Sequence, residues 1–71
     1  MEPERLTVVV TAFNEAQTLP LLQPRILAAL DGVDGLEGRV LYVDDGSRDA
    51  TWEVILALAA ADPRVGALRL S

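Results

Sequence analysis

Hydrophobic and polar positions alternate in blocks along the chain, and these blocks predict five elements. Three short runs rich in β-branched and aromatic residues, at 6–11, 39–43 and 65–70, are typical of strands. Between them, apolar residues recur at helical spacing over about 18–33 and 50–61. With right-handed crossovers, a β-α-β-α-β order gives parallel strands arranged 3-2-1. The predicted fold class is therefore α/β, half of a doubly wound, Rossmann-like nucleotide-binding sheet.

The pattern also makes detailed predictions about the first strand and the first helix. The unbroken apolar run of Val8, Val9 and Val10 favours a strand that is covered on both faces. Thr18 is the predicted N-cap of the helix, and Val33 is the last residue of its apolar stripe. Proline inside a helix removes one backbone hydrogen bond and crowds the preceding turn. Pro24 therefore predicts either a kink, which we favour, or a regular helix that begins near Pro24.

The second helix follows a turn and has one apolar face. Asp49 is the predicted N-cap, because its carboxylate can accept from the free N–H groups of the first turn. The residues predicted to be buried on this helix are Trp52, Ile55, Leu56 and Ala59.

Composition limits the class of protein. With 71 residues and 51% hydrophobic residues, the chain forms at most one small packed domain. Six basic and eleven acidic residues give a net charge of −5, which argues against nucleic acid as a partner. The absence of Cys and His excludes disulfides, thiolate metal sites and imidazole catalysis.

The organisation is simple, with a polar tail at 1–5 followed by a nucleotide-binding portion at 6–71. The tail lacks the basic start of a signal peptide, and no apolar run approaches the roughly 20 residues of a transmembrane helix. A cytoplasmic location is therefore expected, at the inner face of the membrane if a membrane region follows.

Candidate chemistry gathers where the first two strands end. Asp44 and Asp45 end the second strand, and Glu15 follows the first. Adjacent strand residues point to opposite faces, so the two aspartates should have different roles. A carboxylate at this edge can accept from a ribose hydroxyl or a base N–H, or bind a divalent cation. Equally, both aspartates can simply end the strand and cap the following turn.

The neighbouring residues also allow two interpretations. Glu15 could receive a sugar hydroxyl or be a solvated charge in the first turn of the helix. Phe13 could stack on a nucleobase or pack against the first helix. Ser47 and Thr51 are expected to form hydrogen bonds within their own turn. The chain has neither a Gly-x-Gly-x-x-Gly fingerprint nor a P-loop.

Two motifs, VVVTAFNE at 8–15 and VDDGSRDAT at 43–51, together resemble the amino-terminal part of family-two glycosyltransferases. Members of that family are inverting enzymes with the nucleotide-sugar-binding GT-A fold. The resemblance covers residues 6–70. The Leu19-Pro20 and Thr51-Trp52 pairs look most like the polyprenyl-phosphate sugar transferases, such as dolichol-phosphate mannosyltransferase.

The resemblance implies a set of residues that bind the nucleotide sugar. Thr11, Ala12 and Phe13 would border the base, Glu15 would hold the ribose, and Asp44 would bind the base or ribose. Asp45, next to Asp44, completes this candidate set. Two positions depart from the family pattern, which usually has Pro at the position of Thr11 and Tyr at that of Phe13.

The same resemblance implies that the reaction centre lies elsewhere. The family's Asp-x-Asp metal motif and its acidic base follow the third strand, and no Asp-x-Asp occurs here. The chain is therefore expected to be truncated after that strand, to lack catalytic residues and metal ligands, and to be inactive alone. The full-length enzyme would use Mg²⁺ or Mn²⁺. It would transfer a sugar, with inversion, from a nucleotide-diphosphate sugar to a polyprenyl phosphate, another membrane lipid or a saccharide in envelope or polysaccharide biosynthesis.

Other classes of function are possible for this fold, because a fold does not dictate a function. One is a non-catalytic nucleotide-binding or assembly module. Another is a phosphoacceptor signalling domain, which is disfavoured because no Asp ends the third strand and the chain has no Lys. The apolar first strand is predicted at a bare sheet edge, so a homo-oligomer formed through that edge is expected.

Overall fold

A computed structural model describes residues 3–70 and shows three parallel strands with two helices. The elements are β1 (Glu4–Ala12), α1 (Leu19–Asp31), β2 (Leu36–Asp44), α2 (Thr51–Ala61) and β3 (Val65–Arg69). The spatial order β1-β2-β3 is the predicted one, with β2 in the centre. The predicted α/β, Rossmann-like half-sheet is confirmed. Residues 1 and 2 of the predicted tail lie outside the described range, whereas Glu4 and Arg5 belong to β1.

The register of the sheet aligns side chains in rows across the three strands. On the helix-covered face these rows are Val8–Val40–Val65, Val10–Tyr42–Ala67 and Ala12–Asp44–Arg69. The first two rows are apolar except for the tyrosine hydroxyl and pack against Leu19, Leu30 and Ile55 of the helices. The third row, at the carboxyl edge, brings two charged side chains into the same layer.

The prediction that β1 is covered on both faces is wrong. Val8 and Val10 pack against the core, but Val9 between them is 58% exposed. Two successive right-handed crossovers that advance in the same direction place both helices on one face of the sheet. In agreement with this, α1 and α2 contact each other, so these helices leave the face of Val9 uncovered.

Helix α1 begins as predicted but ends early. Thr18 is the N-cap, although its side chain makes no capping hydrogen bond. The helix runs without interruption through Pro24, so it does not begin there, while the kink stays a prediction. It ends at Asp31, and Val33 is outside the helix and 53% exposed. The cause is a turn in which the Val33 N–H donates to the Leu30 carbonyl and the chain reverses into β2.

The next two elements differ from prediction in their bounds and their buried face. β2 starts at Leu36, three residues before the predicted strand at 39–43, because Gly38 lets the strand pass directly beneath Leu30. On α2, the predicted burial of Leu56 is wrong, because Leu56 is 46% exposed. The other predicted residues are in or against the core, and Val54 and Leu58 pack there with them. Within residues 3–70, no helix combines the length and apolar character that crossing a bilayer requires.

Candidate functional site

The candidate site lies where β1 and β2 end side by side. Ala12 and Asp44, their last residues, are register partners, and the Asp45 N–H donates to the Ala12 carbonyl at 3.2 Å. The loop after β1 (13–18) and the loop after β2 (45–50) therefore leave the sheet together. Asp44 and Glu15 are at the same carboxyl edge of the sheet, as the strand-end placement of both motifs predicts.

Asn14 joins the two loops through both its backbone and its side chain. Its N–H donates to Ser47 Oγ at 2.9 Å, and its Oδ1 accepts from the N–H groups of Arg48 at 2.9 Å and Asp49 at 3.4 Å. Asn14 has φ = 52°, in the left-handed region that Asn tolerates better than most residues. This conformation turns the chain sharply after β1.

A second set of bonds fastens the loop after β1 to the start of α2. The Glu15 N–H donates to Thr51 Oγ1 at 2.8 Å, and the Ala16 N–H donates to Asp49 Oδ2 at 3.4 Å. Asp49 Oδ1 accepts from both the N–H, at 2.9 Å, and the hydroxyl of Thr51. These bonds, the one from the Thr51 hydroxyl above all, hold the pKa of the Asp49 carboxyl below its usual value.

Two sequence-based assignments in these loops need correction, and one structural residue was overlooked. The N-cap of α2 is Ala50 rather than Asp49, although Asp49 still accepts the N–H of Thr51, the first helical residue. Ser47 and Thr51 bond across to the loop after β1 and not only within their own turn. Asn14 was missed as a structural residue. Its signal in the sequence was an αL-tolerant residue directly after a strand end.

Asp44 is the most unusual residue of the site, because it is a carboxylate with no exposed surface. Its Oδ1 accepts from the Ser47 N–H at 3.0 Å, whereas its Oδ2 has no hydrogen-bond partner among residues 3–70. The nearest cation is Arg69, whose Nε is 3.8 Å from Oδ2, beyond hydrogen-bonding distance. An unpaired buried carboxylate oxygen is costly, so a partner supplied by a ligand is its natural explanation.

Two other buried side-chain atoms in the described range also lack a partner, Gln23 Oε1 and Tyr42 Oη. Gln23 lies within α1 and Tyr42 within β2. Burial raises the pKa of the Tyr42 hydroxyl, which keeps that group neutral. Asp44 is thus the one of these three residues that lies at the carboxyl edge, where α/β sheets bind ligands.

The other predicted site residues differ in how accessible they are. Asp45 is exposed while Asp44 is buried, which confirms that the two aspartates have different surroundings. Phe13 is 55% exposed and Glu15 is partly buried. Thr11 is exposed at the end of β1, but Ala12 is 1% exposed, so a ligand could meet Ala12 mainly through its backbone.

These residues do not fit a metal ion. Within residues 3–70, no group of three or more acidic residues is arranged to hold one.

Comparison with known proteins decides the family. The family described as "Glycosyl transferase family 2" matches this chain over residues 7–71. The chain belongs to this family. Both strand-end motifs and all five elements except the first residues of β1 lie within the matched range, as the sequence resemblance implied.

The similar proteins are sugar transferases whose names refer to a polyprenyl lipid. Over 61 residues the chain is 33% identical to a prophage bactoprenol glucosyl transferase homolog of Escherichia coli K12, covering 86% of this chain and 20% of that protein. Over 60 residues it is 40% identical to an undecaprenyl-phosphate 4-deoxy-4-formamido-L-arabinose transferase of Pectobacterium atrosepticum, covering 84% and 18%. The chain thus spans about a fifth of the length of these relatives. Their names agree with the polyprenyl-phosphate subgroup that the sequence resembles.

Proposed function

We propose that residues 6–71 form the nucleotide-binding part of a glycosyltransferase that uses a nucleotide-diphosphate sugar as donor. The observation that carries the proposal is Asp44 Oδ2, a buried carboxylate oxygen without a hydrogen-bond partner in the described range, at the carboxyl edge of a parallel sheet. A base N–H or a ribose hydroxyl would supply the missing donor. The bonds between the two loops hold this edge in shape before a ligand arrives.

The neighbouring side chains suit the remaining parts of a nucleoside. The exposed ring of Phe13 offers an apolar surface for a base, with Thr11 and the Ala12 backbone beside it. Glu15 is assigned to the ribose, since a carboxylate accepts from hydroxyl groups. Asp45 is exposed, so its proposed role is at the rim of the site.

For the whole protein we propose sugar transfer to a polyprenyl phosphate at the inner face of the membrane, with inversion. The names of the relatives support the acceptor, because they refer to bactoprenol and undecaprenyl phosphate. Inversion is proposed from the family resemblance alone. A divalent metal is part of the proposal for the whole protein, although no group of three or more acidic side chains within residues 3–70 could hold one alone.

Titration calorimetry of the protein with UDP, GDP and dTDP tests the proposal. At least one nucleotide should bind, and Asp44→Asn should weaken that binding at least tenfold, because the amide cannot accept in the same way and carries no charge. Asp34→Asn is the matched control. It makes the same chemical change at an exposed position before β2, at the other end of the strands. Failure of all three nucleotides to bind, or wild-type affinity for Asp44→Asn, would contradict the proposal.

A non-catalytic nucleotide-binding module is the second candidate, because the buried Asp44 and the bonded loops would suit a nucleotide whether or not a reaction follows. An assay of sugar transfer distinguishes the glycosyltransferase from the non-catalytic module. The full-length protein should transfer sugar from the nucleotide that binds to a short-chain polyprenyl phosphate, whereas the 71 residues alone should bind without turnover. Nucleotide binding by a full-length protein that transfers sugar to no acceptor would favour the module.

We also propose self-association through β1, which lies at an edge of the sheet. Its backbone groups on that side have no partner strand in the described structure, and Val9 is exposed beside them. Such an edge favours pairing with another chain.

A further inference from the structure

We propose that Arg69 is a second ligand-binding residue of this site. In this proposal it donates to the same edge of a nucleobase from which Asp44 accepts. The inference rests on the proposed function and extends it to a residue outside both sequence motifs. Three observations carry it: the register of β2 and β3, the distance between the two side chains, and the position of Trp52.

The sheet itself places the two side chains together. Asp44 and Arg69 are register partners on adjacent parallel strands, so their side chains project from the same face in the same row. The backbone reinforces the pairing, because the Leu70 N–H donates to the Asp44 carbonyl at 3.0 Å. A change in loop conformation would therefore leave this pair intact.

The two charged groups form a long ion pair without a hydrogen bond. Arg69 Nε lies 3.8 Å from Asp44 Oδ2, which is too far for a hydrogen bond. A guanidinium carries five N–H donors, and Oδ2 is an acceptor without a donor. A bridging group that both donates and accepts would satisfy the two together.

Trp52 explains why Arg69 stays near Asp44 without bonding to it. The Arg69 guanidinium carbon lies 5.5 Å from the centre of the Trp52 ring, within the range of a cation–π contact. Trp52 belongs to the first turn of α2, beneath the carboxyl edge of the sheet. The ring supports the cation from one side, and the Arg69 side chain remains 46% exposed on the other.

Nucleobase edges have the complementary pattern. Uracil, thymine and guanine each place a ring N–H beside a carbonyl oxygen, so the N–H can donate to Oδ2 while the carbonyl accepts from Arg69. Oδ2 is buried in the free protein and Arg69 Nε is 3.8 Å away, so in this proposal the guanidinium shifts relative to the Trp52 ring when a base enters. Binding of the base should therefore change the environment of Trp52, the single tryptophan of the 71 residues.

The test compares nucleosides with nucleoside diphosphates in the wild type and in Arg69→Gln. Calorimetry with uridine, guanosine and thymidine, and with UDP, GDP and dTDP, should show a loss of about tenfold for nucleoside and diphosphate alike. Arg69→Lys keeps the charge and should lose less, about threefold. Trp52 emission should shift on nucleoside binding in the wild type and shift less in Arg69→Gln. Arg25→Gln, on the exposed face of α1, is the control and should bind like the wild type.

Each alternative gives a different result. A loss confined to the diphosphates would mean that Arg69 contacts phosphate, and would overturn the inference. Wild-type affinity in a folded Arg69→Gln, together with weak binding by Asp44→Asn, would overturn the role of Arg69 and leave the proposed function standing. If Arg69→Gln unfolds, Arg69→Lys decides, because wild-type affinity and an unchanged Trp52 response there would contradict a planar donor contact. Binding of none of the six compounds by the wild type would overturn both proposals.

Discussion

The backbone N–H of Asn14 donates to the hydroxyl of Ser47 at 2.9 Å, across 33 positions of sequence. The Asn14 side chain forms a second bond to the same loop by accepting from the N–H of Arg48. Each loop thus satisfies backbone groups of the other, and neither can move far alone. A site built on two such loops is held in shape by the hydrogen bonds between them.

Asn14→Ala should destabilise the protein and weaken nucleotide binding. Alanine removes the acceptor of two backbone N–H groups and must adopt φ = 52°, which costs about 1 kcal/mol for a residue with a Cβ. Together we expect a loss of about 1–2 kcal/mol in the free energy of unfolding. Urea denaturation measures it, and calorimetry with the nucleotide that binds should show weaker affinity.

Asn14→Gly and Asn14→Asp separate the two causes. Glycine adopts the left-handed conformation freely but lacks the acceptor, whereas aspartate keeps an acceptor and tolerates the conformation. We expect Asn14→Asp to retain most of the wild-type free energy of unfolding. Asn14→Gly should recover only the part of the alanine variant's loss that comes from the left-handed backbone conformation. A glycine variant as stable as the wild type would show that the side-chain bonds contribute nothing.

The Asp49 carboxylate should stabilise the protein in a pH-dependent manner. Its pKa is lowered in the folded state, so its contribution is fully present above its unfolded pKa, near 3.9, and disappears as pH falls through the folded value. Asp49→Ala should therefore lower the urea midpoint at pH 7, with a smaller difference from the wild type at pH 3.

Asp34→Ala is the control, since Asp34 is an exposed loop residue outside the bonds between the two loops. Asp62 also has a lowered pKa, because its carboxylate accepts from Arg64, but that effect is common to the wild type and both variants. An Asp49→Ala difference that is equal at both pH values would contradict the role of the charged form.

The fold and the placement of the candidate residues at one edge of the sheet could be predicted from sequence, because both depend on strong local signals. The β-branched runs fixed the strands, and the crossover rule fixed their order. The placement of Asp44 and Glu15 at one edge followed from these two facts alone. The different surroundings of Asp44 and Asp45 followed from strand alternation.

The connections across the chain could not be predicted. Nothing in the local pattern of Asn14 indicates that its partners are 33 to 35 positions away. Arg69 likewise appears as an ordinary polar residue of a strand until register places it opposite Asp44. Coverage of β1 was mispredicted because it depends on how many helices lie on each face, which an apolar run does not specify.

Gly38→Ala should destabilise the protein because β2 passes directly under α1. A Cβ at this position would lie 2.8 Å from Leu30 Cβ and 2.9 Å from Leu30 Cδ1, closer than atoms of a packed core approach. Since Leu30 is buried, the helix or the strand must shift, at a cost of about 1–3 kcal/mol. Gly32→Ala is the control, since a Cβ there meets its neighbours at 3.5 Å. Equal denaturation midpoints for the two variants would contradict the close packing.

Val9→Lys should reduce self-association of the 71-residue chain without affecting its fold. Val9 is 58% exposed on the edge strand β1, and a lysine on such a strand opposes pairing with a second sheet. Sedimentation velocity at high micromolar concentration should show dimers or larger species for the wild type and a shift towards monomer for the variant. Leu21→Lys, which adds the same charge at a 71% exposed position on α1, should associate like the wild type. A wild-type chain that is monomeric at this concentration would contradict association through β1, and an equal effect of both lysines would indicate general charge repulsion instead.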